Sequence, residues 1–201
     1  MHPYEASRQI TEIRQRMAWS QTFRGFASLP VAISSLLACL GGALQRPLIP
    51  TPREALDSYV ALWTAVAALS CTAACVGLWT WLRRARSELA REKTIHAISQ
   101  VAPSLVVGAL LTYFVQRSAP EAGWMLPGLW SLVFALAVFA SRHMLSREVL
   151  WVGVYYVAAG TTCLALGGGD QAYAPWQMPL SFGGGQFLGA AVLYWTVERP
   201  Q

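Results

Sequence analysis

The strongest constraint on the fold is the position of the charged side chains, which leave six long stretches of the chain without any. A helix needs roughly 20 residues to cross about 30 Å of hydrocarbon at 1.5 Å per residue, and each stretch meets that length. None alternates like a barrel strand, so the backbone polar groups must be satisfied inside helices. The pattern predicts an all-α, polytopic bundle of six transmembrane helices, within the runs Gly25–Gln45, Ser58–Leu82, Ala97–Gln116, Ala122–Ser141, Val149–Gly169 and Gln171–Val197.

The cations that do occur indicate how the bundle is oriented. Charged residues make up 12% of the chain, against about a quarter in a soluble domain. Twelve of the 15 Lys and Arg residues lie before the first span, after the last, or in the loops after spans two and four, while Arg46, Arg53 and Arg117 lie on the other side. The positive-inside rule therefore predicts cytoplasmic N- and C-termini in a bacterial inner membrane. The net charge of +5 is a topology signal, and no nucleic-acid partner is expected.

The first residues of the chain have a different pattern from the spans. Residues 1–24 are predicted to form a cytoplasmic amphipathic leader helix, followed by a transmembrane domain over residues 25–201. Ile10, Ile13 and Met17 recur at helical spacing on one face, with Arg8 and Arg16 on another. Such a helix lies in the membrane interface, docks a cytoplasmic or membrane protein partner, or is a plain solvated extension.

Two connections between the spans carry local signals. The basic stretch Arg83–His96 is predicted to continue the second span as a helix, with Glu88 and Glu92 spaced for surface pairing. The third outer loop, Gly167–Trp176, contains three consecutive glycines and a proline. It is predicted not to be helical, because these residues interrupt regular structure.

The spans contain no Asp, Glu, Lys, Arg or His deep within them. Ion-coupled transporters, proton relays and intramembrane hydrolases keep ionisable residues at such positions, so these classes are disfavoured. The chain also has no nucleotide-binding loop, catalytic triad or zinc signature. The sequence therefore predicts a protein that is not an enzyme and has no catalytic residue.

Two pairs of residues raise metal or haem hypotheses. Cys71 and Cys75 lie one turn apart on the second span, where two thiolates would suit a soft metal. The surrounding helix is crowded with small residues, which favours cysteine as a packing residue. His96 and His143 lie at the cytoplasmic ends of spans three and four, in basic flanks rather than within the hydrocarbon. The prediction is no metal site and no cofactor.

The last span and the loop before it hold the candidate binding residues. Gln186 is an amide within the membrane, where an unpaired polar group is costly. With Asp170, Tyr173 and Trp176 it forms the candidate ligand site open to the outside. Gly185 and Gly189 form a small-xxx-small face for close helix contact, either inside the bundle or between subunits of a homo-oligomer.

Several segments resemble an uncharacterised family of small six-helix bacterial membrane proteins. In that family a leader of the type I-R-x-x-M-x-x-S-x-x-F precedes the first span. Similar segments here are Ile13–Ser20 with Phe23, Tyr155–Gly160, Ala174–Met178, Phe182–Gln186 and Ala191–Trp195. The resemblance implies a bacterial inner-membrane protein. Family members are often encoded beside winged-helix regulators, which implies a sensing or stress-related role by association and adds no catalytic residue.

These observations leave three function classes. The leading interpretation is a non-enzymatic membrane module, a sensor or scaffold that acts through its cytoplasmic leader and basic loops. The alternative is a permease or channel for a small uncharged solute that passes between spans five and six. The third is a quinone- or haem-binding anchor of a redox complex. The lipid bilayer is the one partner common to all three.

Overall fold

The computed structural model describes residues 28–85, 88–141, 147–169 and 171–198, and these residues are helical with connecting turns and no strand. The all-α prediction is confirmed for this part of the chain. The predicted leader interface residues Ile10, Ile13 and Met17 lie outside the described residues, as do Asp170 and His143.

Five long helices follow one another along the chain. They are α1 (Ser28–Leu48), α2 (Leu56–Ala85), α3 (Glu88–Ser118), α4 (Leu126–Ala140) and α5 (Val149–Leu166), with a 3₁₀ turn at Pro120–Met125 before α4. A last helix over residues 177–198 consists of a π-turn (Pro179–Gly183), an α-helical part named α6 (Gly184–Leu193) and a second π-turn (Tyr194–Glu198). Five segments are long and apolar enough to cross a membrane: α1, most of α2, residues 98–118 of α3, the 3₁₀ turn joined to α4, and α5.

Proline and glycine explain where several helices begin and end. Pro47 lies in the last turn of α1, and Pro50 and Pro52 follow at once, so the helix cannot continue. Pro120 opens the 3₁₀ turn, and Pro127 lies in the first turn of α4. Because the N–H groups of a first turn have no acceptor within the helix, a proline there costs no helical hydrogen bond. The glycines after Leu166 end α5 and begin the predicted irregular loop, which consists of turns in the described residues.

Helix α1 has the inverse pattern of a helix from a water-soluble protein. Its buried residues are small or polar, namely Ser34, Ser35, Ala38, Gly41, Gly42 and Gln45. Its exposed face carries leucines, including Leu36 (64% exposed) and Leu40 (58% exposed). Exposed leucines and a buried small-residue face are expected where lipid, rather than water, surrounds the bundle.

The helices form a closed ring in the part of the chain that the structure describes. Each helix packs against the next in sequence, and α1 also packs against the last helix, which closes the ring. The most extensive contact is between α4 and α5, and the contact between α2 and α3 is much smaller. We call the end of the ring that carries the turns after α1, α3 and α5 the upper end.

Two groups of buried side chains fill the ring. An upper cluster consists of Ile49, Tyr59, Val60, Trp63, Leu126, Tyr173 and Met178. A middle cluster consists of Ala135, Val152 and Tyr156, with Phe134, Phe139 and Phe182 packed against it. The upper cluster joins the loop before the last helix to α2 and α4, so this loop is part of the folded core.

The connection between α2 and α3 is only partly described. The stretch Arg83–His96 is predicted to extend the second span as a helix. The structure describes helix up to Ala85 and again from Glu88, and residues 86 and 87 lie outside the described residues, so this prediction stays a prediction. No residue of the apolar window Ile98–Ser118 in α3 is buried. Helix α3 thus leaves much of its surface outside the ring, and its most extensive helix contact is with α4.

Candidate functional site

The contact between α5 and the last helix is built from two tyrosines that lie over two glycines. A Cβ atom on Gly184 would overlap the side chain of Tyr155, and one on Gly185 would overlap the ring of Tyr156, 2.7 Å from its Oη atom. We call these four residues the tyrosine–glycine seam. Tyr156 lies ten residues below the end of α5, about 15 Å at 1.5 Å per residue, which places the seam near mid-height of the ring.

Aromatic rings from α4 and from the last helix pack against Tyr156. The ring centroid of Tyr156 lies 4.8 Å from that of Phe134 and 5.6 Å from that of Phe182. Phe134 and Phe182 are themselves 5.8 Å apart, so the three rings form a closed group. Tilted and edge-on ring contacts at these distances are favourable. The Tyr156 ring that closes the seam is thus packed against both phenylalanine rings.

The last helix changes its hydrogen-bond register next to the seam. The N–H of Gly184 donates to the carbonyl of Pro179, five residues earlier, as in a π-helix. Side chains of two other helices donate to carbonyls in this turn: Tyr155 Oη to Leu180 O at 2.5 Å and Ser35 Oγ to Gly183 O at 2.7 Å. Single π-turns occur often at functional sites, and this one is fastened to α5 and to α1.

Gln186 lies on the side of the last helix that faces the ring. Its neighbours at helical spacing are Phe182 and Gly183 on one side, and Gly189 and Ala190 on the other. Phe182 packs against Phe134, and Gly183 lies against Cys39. Gly189 lies against Val31 and Val152, and Ala190 is buried. Among the described residues, the side chain of Gln186 forms no hydrogen bond, although it is only partly exposed. An inward amide without a partner is costly in an apolar setting.

A second polar group without a partner lies beside Gln186. Tyr156 is fully buried, and its hydroxyl has no hydrogen-bond partner among the described residues. The hydroxyl lies against Gly185, the residue adjacent to Gln186. Buried polar groups are almost always paired, so each exception needs an explanation. Together the phenol and the amide offer three donor hydrogens and two acceptor oxygens to a small uncharged molecule.

The four predicted ligand residues do not come together in one place. Tyr173 turns into the upper cluster and is 5% exposed, whereas Trp176 lies at the surface and donates to Gln171 Oε1 at 3.1 Å. Gln186 lies ten residues further along the last helix than Trp176, roughly 15 Å deeper. Asp170 is outside the described residues. The structure thus gives Gln186 a different setting from Tyr173 and Trp176.

The two predicted packing glycines face their own chain. Gly185 packs against Tyr156 of α5. A Cβ on Gly189 would lie 3.6 Å from Val31 of α1 and 3.8 Å from Val152 of α5, which is ordinary contact. Both positions therefore serve helix packing inside the ring, the first of the two alternatives that the sequence left open.

The two cysteines of the metal hypothesis lie apart from the seam. Cys71 and Cys75 are exposed on α2, and His96 lies in α3 in a part whose side chains are not described. Within residues 28–85, 88–141, 147–169 and 171–198, no three His, Cys, Asp or Glu residues form a group that could hold a metal ion.

Sequence reasoning did not single out Tyr155 and Tyr156 as site residues, or Gln45 and Gln177 as buried polar residues. For Gln45 a signal was present, because Ser34, Ala38, Gly41 and Gln45 recur at helical spacing on one small-residue face. For Tyr156 the same kind of signal was present, because Gly153, Tyr156, Gly160 and Cys163 recur at helical spacing on one small-residue face of α5. No family model, curated protein or solved structure matches this chain.

Proposed function

We propose that the chain is a six-span membrane protein through which a small, uncharged, hydrogen-bonding solute passes along the tyrosine–glycine seam. The observation that carries this proposal is the fully buried Tyr156 Oη, which has no hydrogen-bond partner among the described residues, beside the partly exposed Gln186 amide. The sixth span in this proposal is the last helix, whose residues 177–198 would extend roughly 30 Å. Both termini are proposed to be cytoplasmic, which makes the upper end extracytoplasmic.

The uncharged class of solute follows from the electrostatics of the ring. The spans contain no carboxylate, ammonium or guanidinium group at mid-height. Burial of an ion without a partner costs far more than burial of a neutral polar group. A neutral solute that both donates and accepts hydrogen bonds can replace its hydrogen bonds to water with hydrogen bonds to the phenol and the amide.

The π-turn supports passage along this seam rather than elsewhere in the ring. It places a break in regular hydrogen bonding beside Gly184 and Gly185, where a glycine lacks the side chain that would fix the spacing of two helices. Interrupted helices with freed backbone groups line the binding sites of many transporters. Movement of the Tyr156 ring away from Gly185 would open the seam without unfolding either helix.

Solute flux into vesicles tests this proposal. The full chain is reconstituted into lipid vesicles, and the rate of re-swelling in urea or glycerol is compared with that of protein-free vesicles. Gln186→Leu is expected to lower the protein-dependent rate about threefold to tenfold, the equivalent of roughly 0.6–1.4 kcal/mol, because the solute loses one hydrogen bond. Tyr156→Phe is expected to lower it by a similar factor.

Matched controls on the outside of the ring separate the seam from general damage. Gln116→Leu removes an amide that pairs with Asp57 Oδ1 at 3.1 Å, and Tyr113→Phe removes a hydroxyl from a ring that is 60% exposed. Both variants should keep the wild-type rate. If Gln186→Leu and Tyr156→Phe also keep it, or if the wild-type rate equals that of empty vesicles, the proposal is wrong.

The leader helix favours a second candidate function, a sensor or scaffold. The observation behind it is the apolar stripe of Ile10, Ile13 and Met17 in the sequence, together with the resemblance to a family of small bacterial inner-membrane proteins. Such a module would lose a cytoplasmic or membrane protein partner when these three residues are changed to Ser. If the triple variant keeps every partner that co-purifies with the wild-type chain, the leader is not a docking surface.

A further inference from the structure

The loop before the last helix covers the upper end of the ring. Tyr173 is buried in the upper cluster, and its ring packs edge-on against that of Tyr59 with centroids 5.0 Å apart. The described residues Gln171–Gln177, which we call the lid, run from the loop after α5 to the first residue of the last helix. The lid thus closes the ring at the end from which a solute would reach the seam.

Gln45 holds the lid to α1. Its Nε2 atom donates to the carbonyl of Tyr173 at 2.6 Å, and its Oε1 atom accepts from Trp63 Nε1 at 3.3 Å. Gln45 is 1% exposed, so both bonds are shielded from solvent. Within the described part of the chain, this is the only side-chain hydrogen bond from a long helix to the lid. The hydrogen bond from Trp63 orients the Gln45 amide, and that amide forms the hydrogen bond to the lid.

Two glycines provide the space that the lid occupies. A Cβ on Gly42 would lie 2.9 Å from the carbonyl oxygen of Pro175 and would overlap Pro179. A Cβ on Gly123 would lie 2.6 Å from Tyr173 Oη. Both contacts are closer than a Cβ atom tolerates, so the closed position of the lid depends on the absence of these side chains.

The lid is strained where Gln45 binds it. Tyr173 has φ +59°, in the left-handed region, and no other non-glycine residue in the described ranges has a positive φ. A bulky residue is strained in this region and stays there only when its surroundings hold it. The hydrogen bond from Gln45 and the contact with Tyr59 are what hold Tyr173 in this conformation.

The lid is bonded to itself more than to the ring. Gln177 Nε2 donates to the carbonyl of Gln171 at 2.9 Å, and Trp176 Nε1 donates to Gln171 Oε1 at 3.1 Å. These bonds join the two ends of the segment. A segment that is internally bonded and strained at its centre can leave the upper end as a unit when its one side-chain hydrogen bond to a long helix breaks and the Tyr173 ring moves off Tyr59.

We infer that Gln171–Gln177 is a lid that opens and closes the upper end of the ring, with Gln45 as its latch. The inference rests on the proposed function only for what the opening of the lid achieves, which is to admit the solute to the seam. The opening itself has a separate readout in the native thiol of Cys163, which is 2% exposed. Cys163 lies one turn below the upper end of α5, the end of the ring that the lid covers.

The experiment measures how fast a water-soluble maleimide labels Cys163 in the full chain in lipid nanodiscs. Cys39, Cys71 and Cys75, which are exposed on the outer surface, are first changed to Ala so that Cys163 is the one remaining thiol. Gln45→Met keeps the volume of the side chain but removes both hydrogen bonds. The latch predicts about a tenfold rise in the labelling rate of the folded protein. A rate equal to that of the unchanged chain would overturn the inference.

A second variant keeps the test decisive if Gln45→Met does not fold. Gln45→Asn retains a polar amide but shortens the side chain by one methylene, so it no longer reaches the carbonyl of Tyr173. The labelling rate should again rise, and no rise would overturn the latch. Gln116→Met, at the upper end of α3 and away from the lid, is the matched control and should leave the rate unchanged.

Labelling and flux fail in distinguishable ways. If Cys163 becomes accessible in Gln45→Met while no variant changes urea flux, the lid stands and the proposed solute path is wrong. If flux depends on Gln186 but labelling of Cys163 does not depend on Gln45, the path stands and the latch is wrong.

Discussion

At the residue scale, the glycines of the last helix differ in what a side chain would meet. Gly185 lies against the ring of Tyr156, Gly189 has ordinary van der Waals room, and Gly108 of α3 has no atom within 4 Å of a Cβ position. The small-xxx-small spacing in the sequence predicted close contact at Gly185 and Gly189 equally. It could not rank them, because the difference depends on the partner side chain that folding brings to each glycine.

This difference gives a graded prediction for alanine substitutions. Gly185→Ala should lower the free energy of unfolding by about 1–3 kcal/mol, because the packed Tyr156 ring must move to admit the Cβ atom. For a chain of this size that corresponds to a Tm lower by roughly 2–10 °C. Gly189→Ala and Gly108→Ala should leave the Tm unchanged or slightly higher, since alanine favours helix. Thermal unfolding in detergent followed by Trp fluorescence measures all three, and equal losses would contradict the packing described for the seam.

Tyr173 gives a prediction for alkaline pH. Burial raises the pKa of its hydroxyl above the ordinary value of 10.0, and nearby Arg53 offsets part of that rise. Because the raised pKa means that the folded state favours the neutral phenol, this stabilisation is complete below about pH 10 and is lost as the pH rises through the folded pKa. The lid should therefore loosen only in strongly alkaline solution.

Absorbance of tyrosinate at 295 nm measures this titration. The difference between the wild-type chain and Tyr173→Phe should show a midpoint above pH 10, and Arg53→Gln should move that midpoint higher. A midpoint at or below pH 10 in the absorbance difference between the wild-type chain and Tyr173→Phe would show that the Tyr173 hydroxyl is open to water. In that case the Tyr173 ring would not be buried in the upper cluster.

At the scale of the helices, the charge-free runs predicted the five long spans closely. For example, the run Val149–Gly169 corresponds to α5, Val149–Leu166, and the glycines after it form turns. The π-turn at Pro179–Gly183 was not predicted. Its hydrogen-bond register depends on donors from Tyr155 and Ser35, which are distant in sequence. Hydropathy records the length of a span, and it contains no information about lateral hydrogen bonds.

The role of Ser35 in the π-turn is testable against its neighbour. Ser35 Oγ donates to Gly183 O of the last helix, whereas Ser34 Oγ donates to Pro30 O of its own helix at 3.0 Å. Ser35→Ala should destabilise the contact between α1 and the last helix by about 0.6 kcal/mol, the mean for such bonds in membranes. Hydrogen exchange at residues 180–185 should rise about threefold in Ser35→Ala and stay unchanged in Ser34→Ala. Equal exchange rates in the two variants would show that the hydrogen bond from Ser35 does not stabilise the π-turn.

At the scale of the whole molecule, the described part of the ring carries many large apolar side chains on its outer surface, while small and polar residues lie inside beside the two buried clusters. Helix α1 shows this most clearly, with buried Ser35 and Gln45 opposite exposed Leu36 and Leu40. Exposed rings of Trp79, Trp151 and Trp195 lie at the end of α2, the start of α5 and the end of the last helix. In the proposed topology all three lie at the cytoplasmic interface, where indole rings are enriched.

The proposed orientation predicts the behaviour of reporter fusions in a bacterial host. Alkaline phosphatase fused after Arg53 or Gly169 should be active, because both positions lie at the upper, extracytoplasmic end. Phosphatase fused after Gln201 should be inactive, and a green fluorescent protein at that position should fluoresce. An active phosphatase at Gln201 would mean either that the last helix does not span the membrane or that the bundle is inverted.

The central claim is that the ring conducts neutral hydrogen-bonding solutes and excludes ions. Urea and guanidinium have the same planar shape and nearly the same size, but guanidinium carries a positive charge. We would therefore measure the entry of each into vesicles that contain the reconstituted wild-type chain, and subtract the rate for protein-free vesicles. The account predicts protein-dependent entry of urea and none of guanidinium. Equal entry of both, or of neither, would contradict it.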